Sequence, residues 1–195
     1  MHYPLNLTFK IISLSPQFHL SDAAGRSVFY VKQKLFKLKE SVNVFADVHK
    51  QNLRYEINAD KVIDWSAKYT FTDAAGNVLG AVKRQGMRSL WRARYDVVES
   101  DGGENFNIQE ENPWSKVGDQ FFQQIPLVGA FAGYVFHPSF LVSRPDGTPA
   151  MRMRKIPAMW EGRFQVDRLL ELDETEEQRI LLSLMMMVLL ERRRG

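Results

Sequence analysis

The sequence predicts a mostly β fold, in which a closed antiparallel β-barrel surrounds a buried C-terminal α-helix. Three features indicate this fold. The run Ile180–Leu190 is apolar on every side of a helix, so other parts of the chain must enclose it. A hairpin motif occurs three times before that run, and much of the remaining sequence alternates between apolar and polar residues.

The hairpin motif consists of an alternating strand, a turn that ends in glycine, and a returning strand. It occurs at Phe18–Gly25, at Tyr69–Gly76 and, more loosely, at Phe140–Gly147. Glycine adopts the positive φ that such turns require, so each copy predicts a β-hairpin. Seven residues after each glycine stands a cation: Lys32, Lys83 and Arg154.

The returning strands separate apolar residues from cations by position. Phe29 and Val31 lie at even offsets from Gly25, whereas Lys32 lies at an odd offset. Because side chains alternate between the two faces of a strand, the apolar residues should face the core and the cations the exterior. Similar alternation occurs in segments 35–39, 43–48, 54–57, 65–71 and 90–98.

One segment, residues 112–136, lacks the two-residue period and is interpreted as an insertion. Asn112 and Pro113 suit the first positions of a helix, which we predict over Pro113–Gln124. An apolar run follows, and a buried strand is favoured there over a membrane helix pair. The helix would carry an apolar face that includes Trp114, Val117 and Phe121.

The C-terminal helix is predicted over residues 174–194. Thr175 and Gln178 have the spacing of a capping box, and the arginines at 192–194 suit the negative end of the helix dipole. The apolar run rises about 17 Å, which is short of the roughly 30 Å needed to cross a membrane. A core helix is therefore favoured, and no transmembrane segment is predicted.

The width of this helix indicates how many strands a barrel needs in order to enclose it. A helix with its side chains is about 10 Å across, whereas an eight-stranded barrel is filled by its own side chains. A barrel of roughly eleven or more strands has room for a central helix. A layered sheet with the helix on one face is the alternative, but it would leave one side of the helix in water.

Composition limits the possible functions. The chain has 195 residues and no cysteine, which suits one domain over residues 1–195 and excludes disulfides and thiolate metal sites. With no secretory leader recognisable, the cytoplasm is the expected location. The four histidines lack metal-ligand spacing, and no nucleophile or phosphate-loop motif occurs. We therefore predict a non-enzymatic protein without a metal or cofactor.

Several segments resemble the LURP-one-related family of the tubby C-terminal-like superfamily, which also contains the phospholipid scramblases. They are Val31–Leu38, the turn Asp73–Gly76 followed by Val82–Arg84, and the apolar C-terminal helix. The resemblance implies a barrel of twelve strands around a central helix. It also implies association with lipid, since tubby domains bind phosphoinositide headgroups through surface cations.

The cations are the best-organised candidate ligands. Segments 26–39 and 81–95 each hold five cations and no acid. Two or three such side chains that converge would bind the phosphate of an anionic lipid headgroup at a membrane surface. The predicted anion ligands are Lys32, Lys34, Lys83, Arg84, Arg88, Arg92, Arg94, Arg152 and Arg154.

Other interpretations of these cations remain open. Cations along exposed strands also prevent aggregation without binding a ligand. A protein partner on the helix Pro113–Gln124 is the alternative function. Nucleic acid is not predicted, because a net charge of +3 is low for a groove that follows a phosphate backbone.

Overall fold

A computed structural model describes residues 1–10, 17–32, 41–60, 68–85, 94–111, 138–158 and 161–192. These residues contain twelve β-strands and a C-terminal helix, α1 (Glu174–Arg192). The strands are β1 (Leu5–Lys10), β2 (Gln17–Ser21), β3 (Ser27–Lys32), β4 (Val42–Phe45), β5 (Leu53–Ala59), β6 (Lys68–Asp73), β7 (Val78–Arg84), β8 (Arg94–Val98), β9 (Glu104–Glu110), β10 (Ser139–Ser143), β11 (Pro149–Ile156) and β12 (Glu161–Arg168).

The strands form one closed barrel. Each strand pairs antiparallel with its neighbours in sequence, and β12 pairs with β1 to close the ring. This topology confirms the predicted fold class. The barrel has two open ends, which we name by the course of α1. At the entry end, α1 begins beside the first residues of β7. At the exit end, α1 finishes, and β3, β7 and β11 terminate.

Helix α1 fills the centre of the barrel. Every residue from Ile180 to Leu189 is at most 6% exposed, as expected for a helix without a polar face. The Ser183 hydroxyl, which is also buried, donates a hydrogen bond of 2.8 Å to the carbonyl of Arg179. Each large apolar side chain buried here stabilises the fold by about 1.5–3 kcal/mol before conformational entropy is subtracted.

The N-terminal cap of α1 differs from the prediction. The amide of Glu176 donates to Asp173 Oδ1 at 2.8 Å, and the amide of Asp173 donates to Glu176 Oε2 at 3.3 Å. This reciprocal pair is a capping box that begins at Asp173. The assignment of the cap to Thr175 and Gln178 was wrong, because the helix starts at Glu174 and leaves Asp173 in the cap position.

The three predicted hairpins are confirmed, and their turns lie at the entry end. Gly25, Gly76 and Gly147 have φ of 76°, 92° and 90°. In the first turn, Asp22 Oδ1 accepts hydrogen bonds from the amides of Ala24 and Arg26, both at 3.0 Å. The Arg26 guanidinium also binds this carboxylate and lowers the pKa of Asp22 to about 2.

The paired strands of each hairpin place their apolar residues inside the barrel. Phe18 pairs with Val31, Tyr69 with Val82, and Phe140 with Met153, and all six side chains are buried. The intervening residues therefore face outward. No helix in the ranges described above has the length and apolar content needed to cross a membrane.

Several predicted features fall outside the described residues. They are the inserted helix Pro113–Gln124 with Trp114, Val117 and Phe121, the apolar run that follows it to residue 136, the end of α1 at residues 193–194, and the predicted ligands Lys34, Arg88 and Arg92.

Candidate anion-binding site

The three cations of the hairpin repeat lie at one height but on different parts of the wall. Lys32, Lys83 and Arg154 are near the exit-end termini of β3, β7 and β11. Those strands are four positions apart in a ring of twelve. Four strand spacings of about 4.8 Å separate neighbouring cations by about 19 Å along the wall. They therefore do not converge on a single ligand.

Arg152 and Arg154 on β11 already form ion pairs. Arg152 Nε lies 3.1 Å from Glu111 Oε2, and Arg154 Nη2 lies 2.7 Å from Asp167 Oδ2. Exposed pairs of this kind contribute only about 0–1 kcal/mol to stability, but they offset the positive charge of each arginine. Neither arginine presents an uncompensated charge to a ligand.

Arg84, one of the predicted anion-binding residues, lies inside the barrel and not on its outer wall. Its side chain is 8% exposed and follows the inward positions Gly80 and Val82 along β7. The Nε atom of Arg84 is 3.7 Å from Glu191 Oε1, which also accepts a hydrogen bond of 2.5 Å from the Tyr95 hydroxyl. These contacts attach the last turn of α1 to β7 and β8.

A closer group of cations lies on β6 and β7. Lys68 pairs directly with Lys83, and both side chains face outward because their neighbours Tyr69 and Val82 face the core. Side chains that lie directly opposite each other have Cβ atoms about 4.5–5.5 Å apart, and like charges in such a pair are destabilising. Within the described residues, neither lysine forms an ion pair.

Arg94 brings a third cation to the same area. Lys83 pairs with Asp96 on β8, which places Arg94 at the diagonal position, about 7–8 Å away. Arg94 is exposed, and its Nη2 donates to Gln109 Oε1 at 2.9 Å. A guanidinium has five N–H donors, so others remain for a ligand. We call Lys68, Lys83 and Arg94 the cation cluster.

Two acids border the cation cluster, and one of them is Asp60, whose Oδ1 accepts a hydrogen bond of 2.9 Å from the amide of Lys68. Asp96 is 9% exposed and its Oδ1 accepts a hydrogen bond of 2.7 Å from Gln85 Nε2. Three cations beside the two carboxylates of Asp60 and Asp96 leave the cluster with a net charge of about +1. That charge suits one anionic headgroup.

In the other two hairpins, the residue opposite the repeated cation is uncharged. Gln17 lies opposite Lys32, and Ser139 lies opposite Arg154. Of these three described pairs, the one between β6 and β7 alone has a cation on both strands.

Sequence reasoning identified Lys83 and Arg94 but missed Lys68. Alternation with Tyr69 and Phe71 already indicates that Lys68 faces outward. Its partner was harder to find, because a register shift between Phe71 and Thr72 moves the pairing by one residue. Without that bulge, Lys68 would lie opposite Val82.

Comparison with models of protein families identifies the family of this chain. The LURP-one-related model matches residues 27–127, which is just over half of the sequence. The chain belongs to the LURP-one-related family. The match begins in β3 and includes all three residues of the cation cluster, but it ends before β10 and α1. Neither a curated protein nor a solved structure matches this LURP-one-related chain.

A metal centre has no counterpart in the described ranges, where no three His, Cys, Asp or Glu side chains are grouped as ligands. The cation cluster offers N–H donors, which can bind anions through charge-assisted hydrogen bonds.

Proposed function

We propose that this LURP-one-related protein is a non-enzymatic module that binds anionic phospholipid headgroups, of the phosphoinositide type, at a membrane surface. The observation that carries the proposal is the pairing of Lys68 with Lys83 on the outer wall, where neither lysine forms an ion pair with a described residue. An anion between the two ammonium groups would remove their repulsion. Binding would then recover the free energy that the pair costs in the unbound protein.

The number of donors supports a headgroup as the ligand. Lysine offers a compact charge with three donors, and arginine engages phosphate oxygens in pairs. Two lysines and one arginine on three adjacent strands offer several N–H donors to one phosphate group. A nucleic acid requires a longer basic track, because its affinity depends on neutralising many phosphates.

The distribution of charge along the barrel axis supports a defined orientation. Acids surround the start of α1 at the entry end, where three of the four residues 173–176 are Asp173, Glu174 and Glu176. Exposed cations lie toward the exit end, among them Lys32, Lys83, Arg94 and Lys155. A molecule with separated charge turns its positive side toward an anionic surface. The protein would therefore approach a membrane with its exit end.

Vesicle flotation tests this function. The wild-type protein should float with phosphatidylcholine vesicles that contain phosphatidylserine or a phosphoinositide, and not with phosphatidylcholine alone. Binding should weaken as salt rises, because the Debye length shortens from about 10 Å at 0.1 M to about 3 Å at 1 M. Flotation with neutral vesicles, or no flotation with anionic vesicles at low salt, would reject the proposal.

A single charge reversal localises the binding. Lys83→Glu should weaken flotation with anionic vesicles, whereas Lys50→Glu should not, because Lys50 lies in the turn between β4 and β5 at the entry end. Both variants change the net charge by the same amount. An equal loss in both would indicate attraction to the whole molecule and would contradict a site at the cation cluster.

A further inference from the structure

A cavity of about 580 Å³ lies at the entry end, between the first turns of α1 and the rim of the barrel. Its volume is in the range of about 300–1,000 Å³ that small-molecule sites occupy. The polar lining includes Arg54 and Tyr55 of β5 and Thr175, Gln178 and Arg179 of α1. This cavity is separate from the cation cluster, which lies toward the other end of the barrel.

Tyr55 provides a buried donor that lines the cavity. Its side chain is 6% exposed, and its ring packs edge-to-face against Phe29 with 5.5 Å between the centroids. The Tyr55 hydroxyl makes no hydrogen bond to any residue that the structure describes. The Tyr55 hydroxyl oxygen retains solvent-accessible surface in the cavity, so a ligand that accepts its hydrogen bond would take the place of water.

Burial also keeps the Tyr55 hydroxyl in its donor form. The surrounding protein raises the pKa of this phenol above its ordinary value, chiefly because burial disfavours the charged phenolate. The O–H group is therefore present at every physiological pH. An acceptor in the cavity, such as a carboxylate or phosphate oxygen, is the complementary ligand group.

Arg179 is held rigidly beside the cavity. Its guanidinium is 5% exposed, and it donates from Nε to the carbonyl of Leu79 at 2.8 Å and from Nη1 to Glu99 Oε1 at 3.2 Å. Among the described residues, Nη2 has no hydrogen-bond partner. A fixed guanidinium with donors to spare loses little entropy when it binds an anion.

The approach of Arg179 to the wall depends on Gly80. A Cβ atom at this position would lie 2.8 Å from Arg179 Nε and 2.3 Å from the carbonyl oxygen of Val98. Glycine also permits the φ of +141° found here. The absence of a side chain at Gly80 therefore leaves the space that Arg179 occupies beside β7.

The charges around the remaining lining are mixed, because Asp73 and Glu174 lie close enough to raise the pKa of Tyr55 while Arg54 lowers it. Arg54 is exposed at the rim, and the N-terminus of α1 contributes positive dipole charge. Asp73 is the acid in the lining, but its carboxylate accepts hydrogen bonds from the amides of Ala75 and Asn77 and from Asn77 Nδ2. Leu53 and Leu79 supply apolar surface.

We propose that the entry-end cavity binds a small amphipathic monoanion. Its carboxylate or phosphate group would accept hydrogen bonds from Tyr55 and Arg179 and face Arg54, and its apolar body would contact Leu53 and Leu79. This inference does not rest on lipid binding by the cation cluster, since the two sites share no residue.

Ligand-observed NMR with benzoate and phenyl phosphate as probes tests the inference. Saturation transfer should be seen for both anions and be absent for benzyl alcohol, which has the apolar ring without the charge. Transfer to benzyl alcohol equal to that of benzoate would overturn the requirement for an anion, and no transfer to either anion would overturn the site.

Two variants locate the probes in the cavity. Tyr55→Phe retains the ring and removes the hydroxyl, so affinity for benzoate should fall about three- to tenfold, the effect of one hydrogen bond. Arg54→Gln should weaken binding of the anions and is exposed, so the fold is retained. The control Lys32→Gln has the same charge change at the exit end and should bind benzoate like the wild type.

The cation cluster provides the last control. The double variant Lys68→Glu/Lys83→Glu should keep its affinity for benzoate, because both lysines are remote from the cavity. Loss of benzoate binding in that variant, or unchanged binding in both Tyr55→Phe and Arg54→Gln, would overturn the proposal. Failure of vesicle binding with retained benzoate binding would affect the proposed function alone.

Discussion

The two ends of the barrel use cations differently. At the entry end, arginines of the barrel and of α1 pair with acids across the helix–barrel boundary: Arg144 with Glu176 at 3.0 Å, Arg168 with Glu177 at 3.5 Å, and Arg179 with Glu99 at 3.2 Å. Toward the exit end, Lys68 and Lys83 face each other on the outer wall, and neither forms an ion pair within the described chain. These three entry-end arginines are therefore in ion pairs with acids, whereas Lys68 and Lys83 are not.

Aromatic residues reinforce the entry end. The Tyr3 hydroxyl donates to Glu177 Oε1 at 2.7 Å, and the Arg168 guanidinium lies over the Tyr3 ring at 5.1 Å. Burial and the neighbouring Glu177 raise the pKa of Tyr3. Arg144 lies in the same manner 5.0 Å from the Phe106 ring. The first turn of α1 is thus fixed by several elements at once, whereas the cation cluster belongs to the wall alone.

The largest expected effect comes from placing a charge on the buried part of α1. Met186→Asp puts a carboxylate at a position that is 0% exposed within the hydrophobic core. We expect a loss of about 3–5 kcal/mol in the free energy of unfolding, enough to prevent folding of a marginal domain. Chemical denaturation measures the loss. Thr175→Asp, at the exposed start of the same helix, is the control, and equal stability of the two variants would contradict a fully enclosed helix.

A smaller effect is expected where the barrel seats Arg179. Gly80→Ala introduces a Cβ atom 2.3 Å from the Val98 carbonyl oxygen and strains a positive φ. We expect a loss of about 1–3 kcal/mol in thermal or chemical unfolding. Gly76→Ala is the matched control, because its φ is also positive but no atom lies within 4 Å of the new Cβ. The difference in stability between the two variants isolates the contact with Val98 and Arg179. Equal stability would mean that the strands shift to make room for the new Cβ atom, and would contradict a tight fit at this position.

The smallest effect concerns the cation cluster and has the opposite sign. Lys68→Gln removes the repulsion with Lys83, so the free energy of unfolding should rise by about 0.2–1 kcal/mol. Affinity for anionic vesicles should fall in the same variant. Gln17→Lys creates the equivalent like-charge pair with Lys32 on β2 and β3 and should destabilise by a similar amount. A destabilised Lys68→Gln protein would show that Lys68 supports the fold.

The fold was largely accessible from the sequence, for identifiable reasons. The run Ile180–Leu190 has no polar face, so it predicts an enclosure whatever the order of the strands. The three glycine turns mark their hairpins through a conformation that other residues rarely adopt. The cap of α1 was misplaced, since Asp173 and Thr175 are both good capping residues and only the helix start distinguishes them.

The candidate site was less accessible, because its geometry depends on barrel closure. Periodicity indicates which side chains face outward, but the angular position of each strand depends on how many strands intervene. Thus Lys32, Lys83 and Arg154 have equivalent positions in the repeat, yet they lie four strands apart. Arg84 is different, since its even offset from Gly76, shared with Gly80 and Val82, already indicates the inward face of β7. A one-residue bulge concealed the partner of Lys68.

The most direct test of the cation cluster is the affinity of Lys68→Glu/Lys83→Glu for supported bilayers that contain anionic lipid, measured by surface plasmon resonance. Each cation near an anionic surface contributes about 1 kcal/mol, so reversing two should weaken binding more than tenfold relative to the wild type. The control Lys50→Glu/Arg54→Glu has the same net charge and changes two exposed cations at the entry end, so its Kd should stay within about threefold of the wild type. Equal losses in the two double variants, or unchanged affinity in Lys68→Glu/Lys83→Glu, would contradict an anionic-headgroup site on β6, β7 and β8.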